Sequence, residues 1–190
     1  VYLDGSNSVI TILVGFSITN GLIGVEMSGD STKVQHCKIY NNNHPGDSSG
    51  GGVVASGGII DYCEVFGNHA RHGGGMYISG STIVQNCNIY SNTCGDNGSQ
   101  LQCGNGSPKI SNCIITATTS QQNVIEFRWG TLAEFENILI LVENINNAQE
   151  VVFNSWESSN PILNNVTIIN KSSSSAGLVT IGAPSFFTIK

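Results

Sequence analysis

The sequence predicts an all-β fold, a right-handed parallel β-helix of about seven coils that forms one domain over residues 1–190. Three observations lead to this fold class. A short motif recurs about every 25 residues along almost the whole chain. Within each copy, apolar and polar residues alternate with the period of two that marks a strand with one buried face. The composition, with 23 glycines in 190 residues and only 11% charged residues, is that of a turn-rich β protein.

One strand of each coil is marked by a cysteine or its equivalent. The motif reads V-Q-H-C-K-I-Y-N-N at 34–42, I-D-Y-C-E-V-F-G-N at 60–68, V-Q-N-C-N-I-Y-S-N at 84–92 and I-S-N-C-I-I-T at 110–116. Earlier and later copies keep the pattern without the thiol. We expect the equivalent positions to form one inward stack: Phe16, Cys37, Cys63, Cys87, Cys113, Ile138 and Val166.

A second column marks another strand in each coil. It begins at Val25, Val53, Met76, Leu101, Ile125, Val152 and Val179. The residues two positions later should face inward as well: Met27, Ala55, Ile78, Cys103, Phe127, Asn154 and Ile181. Parallel pairing with the next coil, ~4.8 Å away, would place like residues on like residues. Glycine runs at 50–52 and 73–75 suit a tight entry into this strand.

The residue before the cysteine position is suited to a sharp bend. It is His36, Tyr62, Asn86, Asn112, Asn137 or Asn165 in successive coils. Asparagine tolerates the left-handed backbone conformation, and stacked side-chain amides can hydrogen-bond to one another along the axis. We therefore expect an inward asparagine ladder in the last four of these coils.

These repeats resemble the right-handed parallel β-helix families, namely the pectin-lyase-like superfamily and the repeats of chlamydial polymorphic outer-membrane proteins. The segment F-G-N-H-A-R-H-G-G-G-M-Y at 66–77 is similar to the Phe/Asn and Gly-Gly elements of the latter. The resemblance covers nearly the whole chain and implies a fold. It does not imply one activity, because such repeats occur in adhesins, phage spikes, surface proteins, lyases and epimerases.

The resemblance to pectin-lyase-like enzymes implies a groove on the outer face of the second strand, with acidic calcium ligands and an Arg or Lys base. The first outward positions there are Glu26, Val54, Tyr77, Gln102, Glu126, Phe153 and Thr180. Glu126 in this set and Arg128, two positions later on the same face, are the residues with suitable chemistry, and we interpret them as an ion pair on a solvated face. His69, Arg71 and His72 form an alternative cluster without a carboxylate nearby in sequence. We therefore assign no catalytic residue, no metal site and no cofactor.

An outward apolar column three residues after the cysteine position is the more distinctive surface feature. It consists of Thr19, Tyr40, Phe66, Tyr90, Thr116, Leu141 and Ile169. A contiguous stripe of this kind usually marks a contact. The chain's own turns, another subunit, or sugar rings stacking on Tyr40, Phe66 and Tyr90 are the three alternatives.

The six cysteines allow two interpretations. Cys37, Cys63, Cys87, Cys113 and Cys103 fit buried, unpaired positions of the core. Alternatively, Cys94 in the turn T-C-G-D-N-G-S-Q pairs with Cys103 and closes a short loop.

Asn-x-Ser/Thr occurs at four positions, which makes glycosylation possible on a eukaryotic secretory route. Asn97, Asn105 and Asn170 lie on or beside turns and strand ends, so we predict that these three carry glycans. Asn165 belongs to the expected inward ladder and is a poor acceptor.

The net charge of −6, with seven scattered Lys and Arg residues, excludes a basic surface for nucleic acid, and no apolar run is long enough to span a membrane. Neither end shows a cap, so the chain is either a piece of a longer β-helix or a subunit whose ends meet head to tail. We expect a non-enzymatic extracellular or cell-surface protein: a glycosylated rod, filament subunit or adhesin that self-associates head to tail or laterally. The alternatives are a polysaccharide lyase or epimerase, and a glycan-binding module.

Overall fold

The computed structural model describes residues 1–5, 9–118, 123–143, 152–171, 179–181 and 185–190. Within these residues the chain forms 24 strands and no helix, and every strand pairs in parallel. The strands build a parallel β-solenoid of about six turns, which matches the six intervals between the seven expected inward positions. The predicted fold class is confirmed, and its right-handed sense stays a prediction. No helix in the described part of the chain is long and apolar enough to cross a membrane.

Sheet A contains eight strands, each stacked on the equivalent strand of the next turn. Its spatial order is β1 (Tyr2–Asp4), β4 (Val25–Ser28), β8 (Val53–Ala55), β12 (Met76–Gly80), β16 (Leu101–Gly106), β19 (Ile125–Phe127), β21 (Phe153–Ser155) and β23 (Val179–Ile181). The close approach at its entry requires glycine. A Cβ atom at Gly74 would overlap the carbonyl oxygen of Thr93, and one at Gly51 would overlap that of His69.

Sheet B has two limbs that meet at a bend. The first limb contains β2 (Thr11–Val14), β5 (Thr32–Gln35), β9 (Ile59–Asp61), β13 (Ile83–Gln85) and β17 (Lys109–Ser111). The second contains β3 (Ser17–Thr19), β6 (Lys38–Tyr40), β10 (Glu64–Phe66), β14 (Asn88–Tyr90) and β18 (Ile114–Ala117). The long strands β20 (Glu134–Val142) and β22 (Ile162–Asn170) run through the bend and belong to both limbs, and β24 (Thr188–Ile189) pairs with β22.

A small third sheet lies in the long turns that lead from the second limb of sheet B to sheet A. Its order is β15 (Thr93–Asn97), β11 (His69–His72) and β7 (Asn43–Ser49). The histidine segment that the sequence places on a turn is therefore a strand, and it receives neighbours from the coils on both sides.

The cysteine stack is confirmed from Cys37 to Ile138, all of which are buried. Phe16 keeps the register, since Ser17 pairs with Lys38, but it is 57% exposed because it lies on the terminal rung of sheet B. The expected burial of Phe16 is therefore wrong. Val166 at the other end is only partly buried.

The second inward column is correct up to Phe127 and is shifted by one residue in the next coil. Ile125 pairs with Phe153 and Phe127 pairs with Ser155, so Phe153 and Ser155 take the two inward positions of the strand, and Asn154 pairs with the outward Glu126. Val152, which precedes the strand, is also buried in the core. Phe153 is buried and packs against Phe127, with ring centroids 5.9 Å apart. Its predicted outward position is wrong. The run V-V-F-N-S offers two alternating registers, and only packing of the large ring distinguishes them.

All six bend residues adopt the expected left-handed conformation, with φ between 51° and 55°. Asn165 donates to Asn137 at 2.7 Å, and Asn137 donates to Asn112 at 3.2 Å, so the ladder is confirmed from Asn112 to Asn165. Asn86 instead donates to Asp61 at 3.0 Å. It is exposed to solvent, however, and the expectation that it points inward is wrong. The buried ladder consists instead of Asn42, Asn68 and Asn92.

Candidate functional site

The outer face of sheet A carries a carboxylate that is fully removed from solvent. Glu126 on β19 is 0% exposed. Its Oε1 accepts from Arg128 Nε at 3.0 Å, and its Oε2 accepts from Gln102 Nε2 at 2.7 Å. Gln102 lies directly beside Glu126 in the ladder of β16 and β19. The predicted ion pair exists, but the expected solvated face is wrong, because the carboxylate is buried.

Burial raises the pKa of Glu126, and the nearby Arg128 charge and the hydrogen bonds from Arg128 and Gln102 only partly offset this effect. Arg128 also binds the carboxylate of Glu157 at 3.3 Å, and that carboxylate accepts from the backbone N–H of Trp129 at 3.1 Å. A buried carboxyl with a raised pKa and a specific charge partner is typical of a functional site, and also of a structural ion network.

The histidine strand β11 lies close to this group. Arg71 contacts Asp47 on β7 and Asp96 on β15, and its Nε lies 2.5 Å from Asp96 Oδ2. His72 Nε2 lies 3.9 Å from the same Asp96 oxygen. The sequence shows no carboxylate beside this segment because both aspartates come from neighbouring coils. Parallel stacking of β7, β11 and β15 brings them in.

The two clusters that the sequence offers as alternatives form one region in the structure. The pKa of His72 is lowered by burial, opposed by Asp96, and lowered further by the charges of Arg71 and Arg128. The histidine strand also approaches the Glu126 pair in space, because a Cβ atom at Gly73, the residue after His72, would lie 3.2 Å from the Cβ atom of Gln102. We call the group of Glu126, Arg128, His72, Asp96 and Gln102 the ionic cluster.

Three buried polar atoms in and beside the ionic cluster have no hydrogen-bond partner among the described residues. These atoms are Gln102 Oε1, His72 Nδ1 and Asn154 Oδ1. Asn154 pairs with Glu126 in the ladder, so Gln102, Glu126 and Asn154 form one row over three coils. The alternating pattern of the sequence places Asn154 in the core, so it does not indicate the position of Asn154 in this row. Unpaired buried acceptors of this kind are available to a donor from a ligand or a water molecule.

Aromatic side chains flank the ionic cluster. Trp129 follows Arg128 and is 51% exposed, with a left-handed φ of 55°. Its ring meets that of Tyr77 edge to face at 6.0 Å. Trp156, another exposed aromatic residue, begins the turn after β21. Bulky residues rarely adopt a left-handed conformation, and such strain concentrates at functional positions.

The aromatic column Tyr40, Phe66 and Tyr90 is stacked on the outside of sheet B as predicted. Successive ring centroids are 4.9 Å apart, with interplanar angles of 1° and 2°. Tyr90 also donates to Glu64 at 3.2 Å. Because each ring covers the face of the next, mainly ring edges are presented to solvent. Sugar binding at these three residues stays a prediction.

The three predicted glycosylation sites differ in their surroundings. Asn105 and Asn170 are exposed, whereas Asn97 is half-buried and its Oδ1 accepts from Asn123 at 3.2 Å. Ser172, which completes the motif of Asn170, lies outside the described residues. Asn165 is exposed, so its exclusion as an inward residue rests on a wrong expectation.

All six cysteines are free and buried. Burial raises the pKa of Cys94 to about 12 and also raises that of Cys103. The core position predicted for Cys103 is confirmed, and the alternative Cys94–Cys103 disulfide is not formed. Among the described residues, no group of three or more His, Cys, Asp or Glu side chains is placed to hold a metal ion.

No protein-family model matches the chain, and neither the curated proteins nor the solved structures contain a match. The parallel β-solenoid therefore rests on the strand pairing of this chain itself.

Proposed function

We propose that the chain is a non-enzymatic structural protein of the cell surface or extracellular space, a glycosylated β-helical rod that assembles head to tail. The observation that carries this proposal is the terminal rung of sheet B. Strands β2 and β3 pair on one side only within the described residues. Phe16, which belongs to the inward column, is exposed there. An unpaired strand edge with exposed apolar residues is a template for a further strand.

The opposite edge of sheet B fits this template. Residues 166–170 of β22 belong to the same limb as β3, and they have a paired neighbour only on the β20 side within the described residues. Ile169 is exposed at this edge. A second copy that places its β3 against residues 166–170 would continue the limb. Such a contact joins two different surfaces and does not close, so it produces a fibre.

The ionic cluster is consistent with a structural role. Both carboxylate oxygens of Glu126 already accept hydrogen bonds from the chain's own side chains. Arg71 lies beside the cluster and contacts its member Asp96 on β15 and also Asp47 on β7, so it links three neighbouring strands. A guanidinium between two carboxylates on adjacent coils holds the long turns in register.

We further infer an evolutionary relation to the pectin-lyase-like superfamily or to the polymorphic outer-membrane protein repeats. The repeated motif is its only support.

An oxidising location is compatible with the free thiols because their burial protects them from pairing with outside thiols.

Sedimentation velocity and electron microscopy test the assembly. We expect the wild type to form linear particles as its concentration rises and the Phe16→Lys variant to stay monomeric. Leu132→Lys is the matched control, since Leu132 is similarly exposed but lies away from the terminal rung. Dispersed wild-type monomers at ~1 mM, or unchanged assembly of Phe16→Lys, would contradict the proposal.

Mass spectrometry of native material tests the glycoprotein part. Glycans on Asn97, Asn105 or Asn170 are expected, with Asn105 and Asn170 more accessible than the half-buried Asn97. If all three asparagines are unmodified, the protein is not a glycoprotein at these sites, and the proposal of head-to-tail assembly is unaffected.

A carbohydrate-active β-helix, either a polysaccharide lyase or an epimerase, is the second candidate. It is favoured by the buried Glu126 with its raised pKa beside the exposed Trp129. Acidic polysaccharides incubated with the protein, with and without calcium, give the test. Turnover by the wild type that is lost in Glu126→Gln and kept in Glu26→Gln would establish it. No product from any polysaccharide would refute it.

A further inference from the structure

A groove of about 410 Å³ lies on the outer face of the first limb of sheet B. It crosses β13, β17, β20 and β22, four neighbouring strands of the ladder. Ile83 and Ile162 provide apolar surface at its two ends. With ~4.8 Å between neighbouring strands, the groove extends about 14 Å along the solenoid axis.

The polar side chains of the groove form a regular row. Gln85 pairs with Ser111, Ser111 with Glu136, and Glu136 with Asn164, so one polar group points outward from each coil. The side chains of Ser111, Glu136 and Asn164 make no hydrogen bond or ion pair within the described part of the chain. They therefore offer a hydroxyl, a carboxylate and an amide to a ligand.

The side-chain charges of the groove cancel. Lys109 Nζ lies 3.0 Å from Glu134 Oε2, so these two groups neutralise each other. Glu136 and Lys190 add one charge of each sign. An acidic polymer would meet two carboxylates, and a cationic one would meet two ammonium groups. Charge complementarity thus favours an uncharged ligand.

We propose that this groove binds a neutral linear polysaccharide lying along the solenoid axis. Hydroxyl groups both donate and accept, which matches a row containing hydroxyl, carboxylate and amide groups. The C–H surfaces of sugar rings fit Ile83 and Ile162. A ligand that repeats along one direction can use a site that repeats from coil to coil. This site lies on a different limb from the aromatic column and does not depend on assembly into fibres.

Isothermal titration with cellohexaose, xylohexaose and mannohexaose tests the proposal, with hexagalacturonate as the acidic comparison. We expect at least one neutral hexasaccharide to bind more tightly than hexagalacturonate. Glu136→Ala combined with Asn164→Ala should weaken that binding about tenfold through the loss of two hydrogen-bonding groups. Both residues are exposed, so the fold should be kept.

The matched control is Glu26→Ala combined with Asn88→Ala, which removes the same two residue types from other exposed faces. Its affinity should equal that of the wild type. Absence of binding by all three neutral hexasaccharides at ~1 mM would overturn the proposal. So would tighter binding of hexagalacturonate, or an equal loss of affinity in the control. Sedimentation velocity of the same variants should show the same assembly as the wild type, so a change in affinity can be distinguished from a change in assembly.

Discussion

At the residue scale, two buried carboxyl groups have pKa values that shift in opposite directions. Burial dominates at Glu126 and raises its pKa above the ordinary 4.5. Burial also acts on Asp61, but hydrogen bonds from Asn86, Gln85 and Gln35 and the charge of Lys33 outweigh it and lower the pKa below 3.8. The difference follows from the number of donors around each carboxylate.

The stability of the protein should therefore depend on Glu126 in a defined direction. Because the folded-state pKa is raised, the favourable contribution of Glu126 is complete below about pH 4.5 and is lost as the pH rises through the raised value. The free energy of unfolding of the wild type relative to Glu126→Gln should therefore fall as the pH rises above 4.5 and through the raised pKa of Glu126. Urea denaturation at each pH measures this difference.

Asp61→Asn serves as the control of opposite sign. The contribution of Asp61 is present above pH 3.8 and is lost as the pH falls through its lowered pKa. The difference between wild type and Asp61→Asn should shrink only in acid. The same pH slope for both variants would show that burial and hydrogen bonding do not set the pKa values of Glu126 and Asp61.

Asn68 should be one of the most sensitive residues of the interior. Its side chain accepts from the N–H and the amide of Asn42 and donates to Ile39 O and Asn92 Oδ1. Asn68→Ala would leave several buried groups unpaired, at roughly 1 to 3 kcal/mol each. We expect the free energy of unfolding to fall by about 3 kcal/mol or more. Asn88→Ala, at an exposed asparagine, should change it by less than about 0.5 kcal/mol.

At the element scale, side chains stack in columns because neighbouring parallel strands keep one register. The 4.9 Å ring spacing of the aromatic column is close to the ~4.8 Å spacing of the strands themselves. Lys38 and Glu64 form an ion pair of 3.1 Å beside it in the same way. A column of this kind stabilises the ladder of β6, β10 and β14 through contacts between coils.

Removal of the central ring, that of Phe66, should show how much the stacking stabilises the protein. Phe66→Ala loses two stacked partners, and we expect the free energy of unfolding to fall by about 1 to 3 kcal/mol. Phe186→Ala is the comparison, because Phe186 is 67% exposed. Thermal denaturation followed by circular dichroism measures both variants. Equal destabilisation of the two would argue against stacking as the cause.

At the scale of the whole molecule, the ladders of sheets A and B run along one axis and, within the described residues, end in strands that pair on one side only. Head-to-tail assembly through the terminal rung keeps that axis, whereas lateral assembly through the aromatic column would not extend it. Fibre diffraction distinguishes the two arrangements. End-to-end fibres should give a reflection near ~4.8 Å along the fibre axis, because their strands lie across it. Its absence from aligned fibres would exclude the head-to-tail contact.

The sequence by itself determined the fold class, the parallel pairing and most of the register. Period-two alternation and a motif that recurs in every coil are local signals, and they correctly placed Cys37, Cys63, Cys87 and Cys113 in one stack. The aromatic column and the left-handed bends followed from the same periodicity. The buried asparagine ladder was also readable, since Asn42, Asn68 and Asn92 occupy one position of the quoted motif.

Only the tertiary structure decided what lies beside each column and how deeply it is buried. In the structure Glu126 is buried near the histidine strand, and Phe153 lies in the core. Phe16 and Asn165 are exposed. Alternation along a strand specifies which side a residue takes, but burial depends on the turns and coils packed against that side. Asp47 and Asp96 reach Arg71 from neighbouring coils, and such distances through space have no signal in a single copy of the repeat.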